Sequence, residues 1–188
     1  TDAIDIALAS LKEFSGGRQA TLIGRAERID ALSAAFLNAA AANVHDFCDT
    51  HLATVIHPTA PVAPALLALS ELREVSGPDL LLAFTLGNEV QARIGLAISP
   101  QHYDKGWHPT ATLGIFGATA AASRLLELTQ DQTATALAIA ASFSSGLKAN
   151  FGTMTKPLHV GHCVRNGVMA AMLARAGMTA SHDVFEHR

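Results

Sequence analysis

Nearly every apolar segment of this chain recurs at the spacing that lines up one face of a helix, and the two-residue alternation of a half-buried strand is almost missing. The first such segment is "DAIDIALASLKEF", where Ile4, Ala7, Leu8 and Leu11 share a face before Gly16 and Gly17 stop it. "DALSAAFLNAAAANVHDF" follows, rich in small side chains that let neighbouring backbones approach, and predicts a helix over residues 31 to 47. "APVAPALLALSELREVSG" begins with prolines that a first turn tolerates and is expected to run to Gly77. Pro78 then opens "DLLLAFTLGNEVQARIGLAI", whose near-continuous apolar first half predicts a helix over 79 to 98 at the centre of the core. Further helices are predicted over 110 to 127 and 133 to 146, the latter behind a capping box of Thr129 and Gln132, and a last one in "GHCVRNGVMAAMLARAG", closed by Gly177. Only "RQATLIG" reads as a possible strand.

No internal repeat and no linker between two composition regimes is present, and the helix-and-strand rhythm of an α/β sheet is absent. The expectation is therefore an all-α, bundle-like helical domain over residues 1 to 188. Gly114, Gly117 and Gly167 fall inside helical patterns at a cost of roughly 1 kcal/mol each relative to alanine, for which close helix packing is the plain explanation.

With 49% hydrophobic and 15% charged residues the chain has ample apolar side chain for a core. A net charge of -3 argues against a nucleic-acid or membrane-surface partner bound by bulk charge, so a small ligand has to be held by local charge. Cys48 and Cys163 are too few for a disulfide scaffold, and no apolar run is long enough to span a bilayer. A cytoplasmic setting is expected. A start at Thr1 and a stop at "EHR" suggest a processed chain or a fragment.

Chemistry concentrates at the ends of these helices. "NVHDFCDTHLATVIHPTAP", residues 43 to 61, holds three histidines, two aspartates and a cysteine directly after an alanine-rich run. Buried charges without partners are costly, so such a cluster implies a hydrogen-bonded network, a metal site or a catalytic site, with a capped helix end and solvated histidines as the bland alternative. His57 precedes Pro58, which biases it to extended backbone, and with Asp46 on the helix beside it forms a candidate acid/base pair. His108 also precedes a proline, in "HYDKGWHPTATLG", which places it where the free N–H groups of a helix start face a ligand. From Gln132 to His182 there is no Asp or Glu, yet Lys148, Lys156, Arg165 and Arg175 lie there. That local positive charge predicts an anionic partner, and Lys156, before Pro157 in an expected loop, is the candidate for a carboxylate or phosphate. Cys48 sits between aspartates, which disfavours a thiolate nucleophile, and Cys163 reads as a small buried helix residue.

Two classes compete. His45-Asp46 in a helical chain allows an HD-type metallophosphohydrolase, with His102, Asp104 or Asp131 as loose further ligands. The stretches "DFCDTHLATVIHPTAPVAPALLALSE", "GWHPTATLGIFGATAAASRLL" and "GTMTKPLHVGHCVRNGVMAAMLA", in that order, instead resemble the MmgE/PrpD family, which includes 2-methylcitrate dehydratase, cis-aconitate decarboxylase and iminodisuccinate epimerase.

The resemblance implies a helical domain joined in the whole protein to a smaller α+β domain that this chain lacks. It also implies a homodimer, and chemistry without metal or cofactor on a small di- or tricarboxylate. It puts Asp46, Thr50, His57, His108 and Lys156 at active-site positions: His57 oriented by Asp46 as the acid/base group, Thr50 hydrogen-bonding substrate, and Lys156 with the His108 helix terminus supplying positive field. A lyase, dehydratase or decarboxylase, is the expected activity, with epimerisation as the alternative and an inactive fragment as a third outcome. Cys48 stands where the family has an aspartate, "DFCDT" for "DFDDT".

Overall fold

A computed structural model describes residues 1–186 of the protein. Helix α1 (Asp2–Lys12) leads into a two-stranded antiparallel ribbon, β1 (Ala20–Thr21) and β2 (Arg28–Ile29), and apart from single bridges at His51–Ile56 and Trp107–Leu147 the rest of the described secondary structure is helical. The chain continues through α2 (Ala31–Asn43), α3 (Thr59–Ser70), α4 (Gly77–Ile98), α5 (Gln101–Asp104), α6 (Pro109–Leu125), α7 (Gln130–Phe143), a 3-10 turn at Lys148–Asn150, and α8 (Thr155–Arg175). The architecture is all-α. The strand foreseen in "RQATLIG" exists, paired with a partner that carried no alternating pattern because each strand is two residues long.

Helix α6 is the centre, not α4. Every residue of α6 except Arg124 is buried, and it packs against α3, α4, α7 and α8. In α4 only Ala83, Gly87, Gln91 and Gly95 are buried, a narrow stripe at four-residue spacing, while Leu81, Leu82 and Leu96 stand exposed. The apolar run of α4 therefore misled: small residues, not leucines, make its contact. A Cβ on Gly87 would lie 2.7 Å from the Gly117 carbonyl oxygen, and one on Gly117 would lie 2.9 Å from that of Gly87. Neither distance is tolerated, so the glycines let α4 and α6 touch backbone to backbone. Gly114 against α3 and Gly167 against α6 follow the same rule.

Element ends correct several expectations. Helix α3 stops at Ser70 rather than Gly77, because the Glu71 carboxylate turns to the ribbon, accepting from Thr21 N at 2.7 Å and from Arg28 at 2.6 Å. Helix α4 starts as foreseen, its first turn capped by Ser76, whose hydroxyl accepts from Asp79 N at 3.1 Å. The Thr129–Gln132 capping box is present in full. Helix α8 begins at Thr155, six residues before Gly161, so Lys156 lies in a first helical turn and not in a loop. Helix α2 ends at Asn43, so residues 44–58 form a loop of turns that carries the ionisable cluster.

Candidate active site

The loop after α2 is strained where the ionisable residues sit. Asp46 has φ +59° and Val55 φ +56°. Aspartate tolerates the left-handed region, but a β-branched valine there costs on the order of 1–2 kcal/mol, the kind of strain that persists when its surroundings fix it and that clusters at functional sites. The surroundings here are polar ties. Asp49 accepts from the Thr59 hydroxyl at 2.8 Å and from Thr59 N at 3.3 Å, binding the loop to the start of α3. Gln91, fully buried on α4, donates to the Pro58 carbonyl at 2.9 Å, and His57 N donates to the Thr110 hydroxyl on α6 at 3.2 Å. His57 is thus held directly from α6, and its neighbour Pro58 from α4.

The His57 ring has a determined orientation. Its Nδ1 lies 3.0 Å from the Asp49 carbonyl oxygen, which can only accept, so Nδ1 carries a proton and the neutral ring leaves Nε2 bare. The Thr50 hydroxyl shares that contact at 3.2 Å. Nε2 faces Asp46, 3.6 Å from Oδ1. Asp46 receives its main contact from α8: Lys156 Nζ donates to Oδ2 at 2.6 Å. Burial alone would raise the Asp46 carboxyl. The hydrogen bond and charge of Lys156, with help from His57 and His108, outweigh it and hold the group below the ordinary carboxylate range.

His108 closes the cluster. It is the residue before α6, with extended backbone, and its N–H donates to the Gly146 carbonyl at 3.0 Å. Its ring is 3% exposed and meets Phe151 edge-on at 4.8 Å between centroids. Burial first, then the positive charges of His159 and Lys156, push its pKa down to about 3, so the ring is neutral at ordinary pH. Lys156 also lies 5.3 Å from the centre of the Phe151 ring.

Asp46, Thr50, His57, His108 and Lys156 therefore come together from three parts of the chain, with two departures: Asp46 sits in the loop and not on the helix, and Lys156 in the first turn of α8 and not in a loop. Thr50 is exposed and bonded to the His57 ring. Asp46 and Lys156 line an open cavity of about 730 Å³ with Val44, Gly152, Thr153 and Pro157. On the other side of the loop a concavity of about 620 Å³ is bordered by Phe47, Cys48, Asp49 and Leu67. The other cations of the acid-poor stretch do not converge here: Lys148 donates to the Tyr103 carbonyl at 3.1 Å and covers that ring at 3.7 Å. Trp107 stacks on His102 at 6.0 Å. Neither thiol suits a nucleophile. Burial pushes Cys48 up, aided by Asp46 and Asp49 and only partly offset by its hydrogen bond from Asn43, and burial alone pushes Cys163 up. His159, whose Nδ1 lies 3.2 Å from that of His108, was not singled out in the sequence, and neither were Thr110 and Gln91. None of the three had a visible signal, since the sequence placed Lys156 in a loop and began the last helix at Gly161, leaving His159 outside it.

A helical fold with one cation, one carboxylate and two histidines at the junction of loop and helix starts has the chemistry that acid/base work on an anionic ligand requires. The chain belongs to the MmgE/PrpD family: the model of the MmgE/PrpD N-terminal domain matches residues 1–188. It is 39% identical over 193 residues to human cis-aconitate decarboxylase, covering 99% of this chain and 40% of that protein. The mouse cis-aconitate decarboxylase is 40% identical over 183 residues, 93% of this chain and 37% of the relative. That of Aspergillus terreus is 34% identical over 172 residues, with 88% and 35% covered. The chain thus spans about two-fifths of the human relative's length. Family membership replaces the metallophosphohydrolase reading, and His102 is instead bonded to the Thr112 hydroxyl at 2.6 Å. Among the described residues no helix is long and apolar enough to cross a membrane.

Proposed function

We propose that the intact protein is a lyase that decarboxylates a small unsaturated tricarboxylate of the cis-aconitate kind. The observation that carries this is the Lys156–Asp46–His57 chain beside neutral His108, in a family whose three relatives named above are all cis-aconitate decarboxylases. In the free site Asp46 neutralises Lys156. A substrate carboxylate that enters the cavity competes for the ammonium, so the charge is screened until the ligand arrives. When the bond to the departing carboxylate breaks, its electron pair passes to the neighbouring unsaturated carbon framework and negative charge grows on a remaining carboxylate. Lys156 and the N–H groups at the start of α6 stabilise that charge. The imidazolium form of His57 gives its Nε2 proton to carbon, and Asp46 attracts the positive charge on the ring whenever that proton is present. Carbon dioxide leaves, and the bare Nε2 takes up a proton for the next turnover.

The test is carbon dioxide release. Intact protein given cis-aconitate is expected to release one equivalent and to leave a five-carbon unsaturated dicarboxylate. Dehydration of 2-methylcitrate, or inversion of an iminodisuccinate stereoisomer without gas release, would replace this reading by the dehydratase or epimerase one. The same proposal includes action without metal or cofactor, as a homodimer in the cytoplasm. Activity in excess EDTA and a light-scattering mass of two chains test its first two parts, and fractionation of cells tests the third.

A further inference from the structure

His108 is held by a group that the chemistry above does not use. Its Nδ1 lies 3.2 Å from Nδ1 of His159, one turn along α8 from Lys156, with the rings 5.4 Å apart. Two imidazole nitrogens at that distance form a hydrogen bond only when one bears a proton and the other a lone pair. Two protons would clash, and two facing lone pairs would leave buried His108 without a partner. The contact therefore holds one proton. A neutral imidazole has a single N–H, so the position of that proton decides what the far side of the ring offers. With the proton on His108 Nδ1, its Nε2 is a bare acceptor. With it on His159 Nδ1, His108 presents an Nε2–H donor.

We propose that His159 is a positioning residue that sets the tautomer of His108, and so decides whether the buried ring at the start of α6 meets the substrate as donor or acceptor. Three further observations agree. Phe151 presses on the His108 ring edge-on, which leaves it few ways to turn. Burial, with Lys156 and His159 from α8 and His57 from the loop, keeps it uncharged against the opposing pull of the Asp46 carboxylate. A ring that cannot carry a second proton can change from donor to acceptor only by exchanging the one it has. His159 is only half-buried, so it can trade a proton with solvent. The proposal rests on the reading that His108 faces the substrate.

The test uses intact protein labelled with 15N-histidine, the two residues identified by the signals lost in His108→Asn and His159→Phe. In the wild type at neutral pH one Nδ1 of the pair is expected to resonate as protonated and the other as bare. In His159→Phe the His108 ring should change its Nδ1/Nε2 pattern, and kcat/KM should fall about 10- to 100-fold, the scale of a buried hydrogen bond left unmade. His159→Asn, whose side chain can turn either N–H or C=O toward Nδ1, should recover most of that loss and the wild-type His108 pattern. Both Nδ1 atoms protonated, or both bare, in the wild type overturns the proposal without any variant. So does an unchanged His108 pattern in His159→Phe, or a changed pattern with kcat/KM intact. If Lys156→Met and His57→Asn leave decarboxylation untouched, it is the active-site reading that fails, while the nitrogen spectrum still decides the pair.

Discussion

Helix α6 and the loop of residues 44–58 meet at the Thr110–His57 hydrogen bond, yet they are built on opposite terms. In α6 stability comes from proximity. Glycines and alanines bring backbones together, and fully buried Leu113 and Ile115 fill the remaining space, each contributing about 1.5–3 kcal/mol by burial. In the loop only Ile56 among the large apolar side chains is fully buried: Phe47 is 95% and Leu52 86% exposed, and two residues have left-handed backbone. Beyond the Ile56 anchor, what holds it is the set of polar ties from Asp49, Gln91, Thr110 and Lys156. One region uses its residues to hold the fold, and the other spends fold stability to hold a charge pattern. Substitutions should therefore separate them, with damage to stability in the first and damage to chemistry in the second.

The largest expected effect on the fold is at the α4–α6 contact. Gly117→Val forces apart two backbones whose positions are set by several other helices, and should cost about 3 kcal/mol or more. The melting temperature should fall by roughly 6–12 °C by the usual scaling for a domain of this size. A small change would show that the contact is slack, and would remove the contrast.

Next comes pH. His108 has a folded pKa near 3 against an ordinary value of 6.5, so between those values the unfolded chain binds more protons than the folded one. Stability conferred by the neutral ring is thus complete above about pH 6.5 and is lost as pH falls toward 3. The loss is on the order of 3 kcal/mol by pH 4. Denaturant unfolding of the wild type and of His108→Leu across this range should show the slope flatten in the variant. Equal slopes would place the acid sensitivity elsewhere.

Asp46→Asn should cost less than about 1 kcal/mol, because its ion pair with Lys156 is half-exposed on the carboxylate side. Its own titration adds stability above the ordinary carboxylate range that disappears as pH falls through the lowered value, so the variant should matter least in strong acid. The smallest effect is expected at Phe47→Ser, within about 0.5 kcal/mol, since a side chain already in solvent has little packing to lose. A large loss of stability there would mean that the loop is supported by apolar contact after all.

The two regions were also unequally legible in the sequence. Periodicity located the α1, α2, α4, α6 and α7 segments to within a few residues, because a buried helical face must repeat. It misjudged α4, since a long apolar run looks central even when its contact stripe is Ala83, Gly87, Gln91 and Gly95. It overran α2 and α3, where side-chain ties, as at Glu71, end the helix without a glycine or proline to announce it. The site was legible as composition: histidines, aspartates and one lysine whose neighbourhood lacks acids. Its geometry was not. Nothing local shows that Lys156 reaches Asp46 across 110 residues, or that His159 meets His108, because both contacts are made by helix packing and not by spacing along the chain.

The central claim is that Lys156 serves an anionic ligand rather than the fold. It is tested most directly by Lys156→Met in the intact protein, with decarboxylation kinetics and melting temperature measured on the same sample. A charge-assisted contact that strengthens as carboxylate charge grows is worth about 1.5–3 kcal/mol, so kcat/KM should fall by roughly one to two orders of magnitude. The melting temperature should move by no more than about 2–4 °C, the scale of a partly exposed ion pair. Unchanged kinetics, or a melting temperature that collapses as far as that of Gly117→Val, would contradict it.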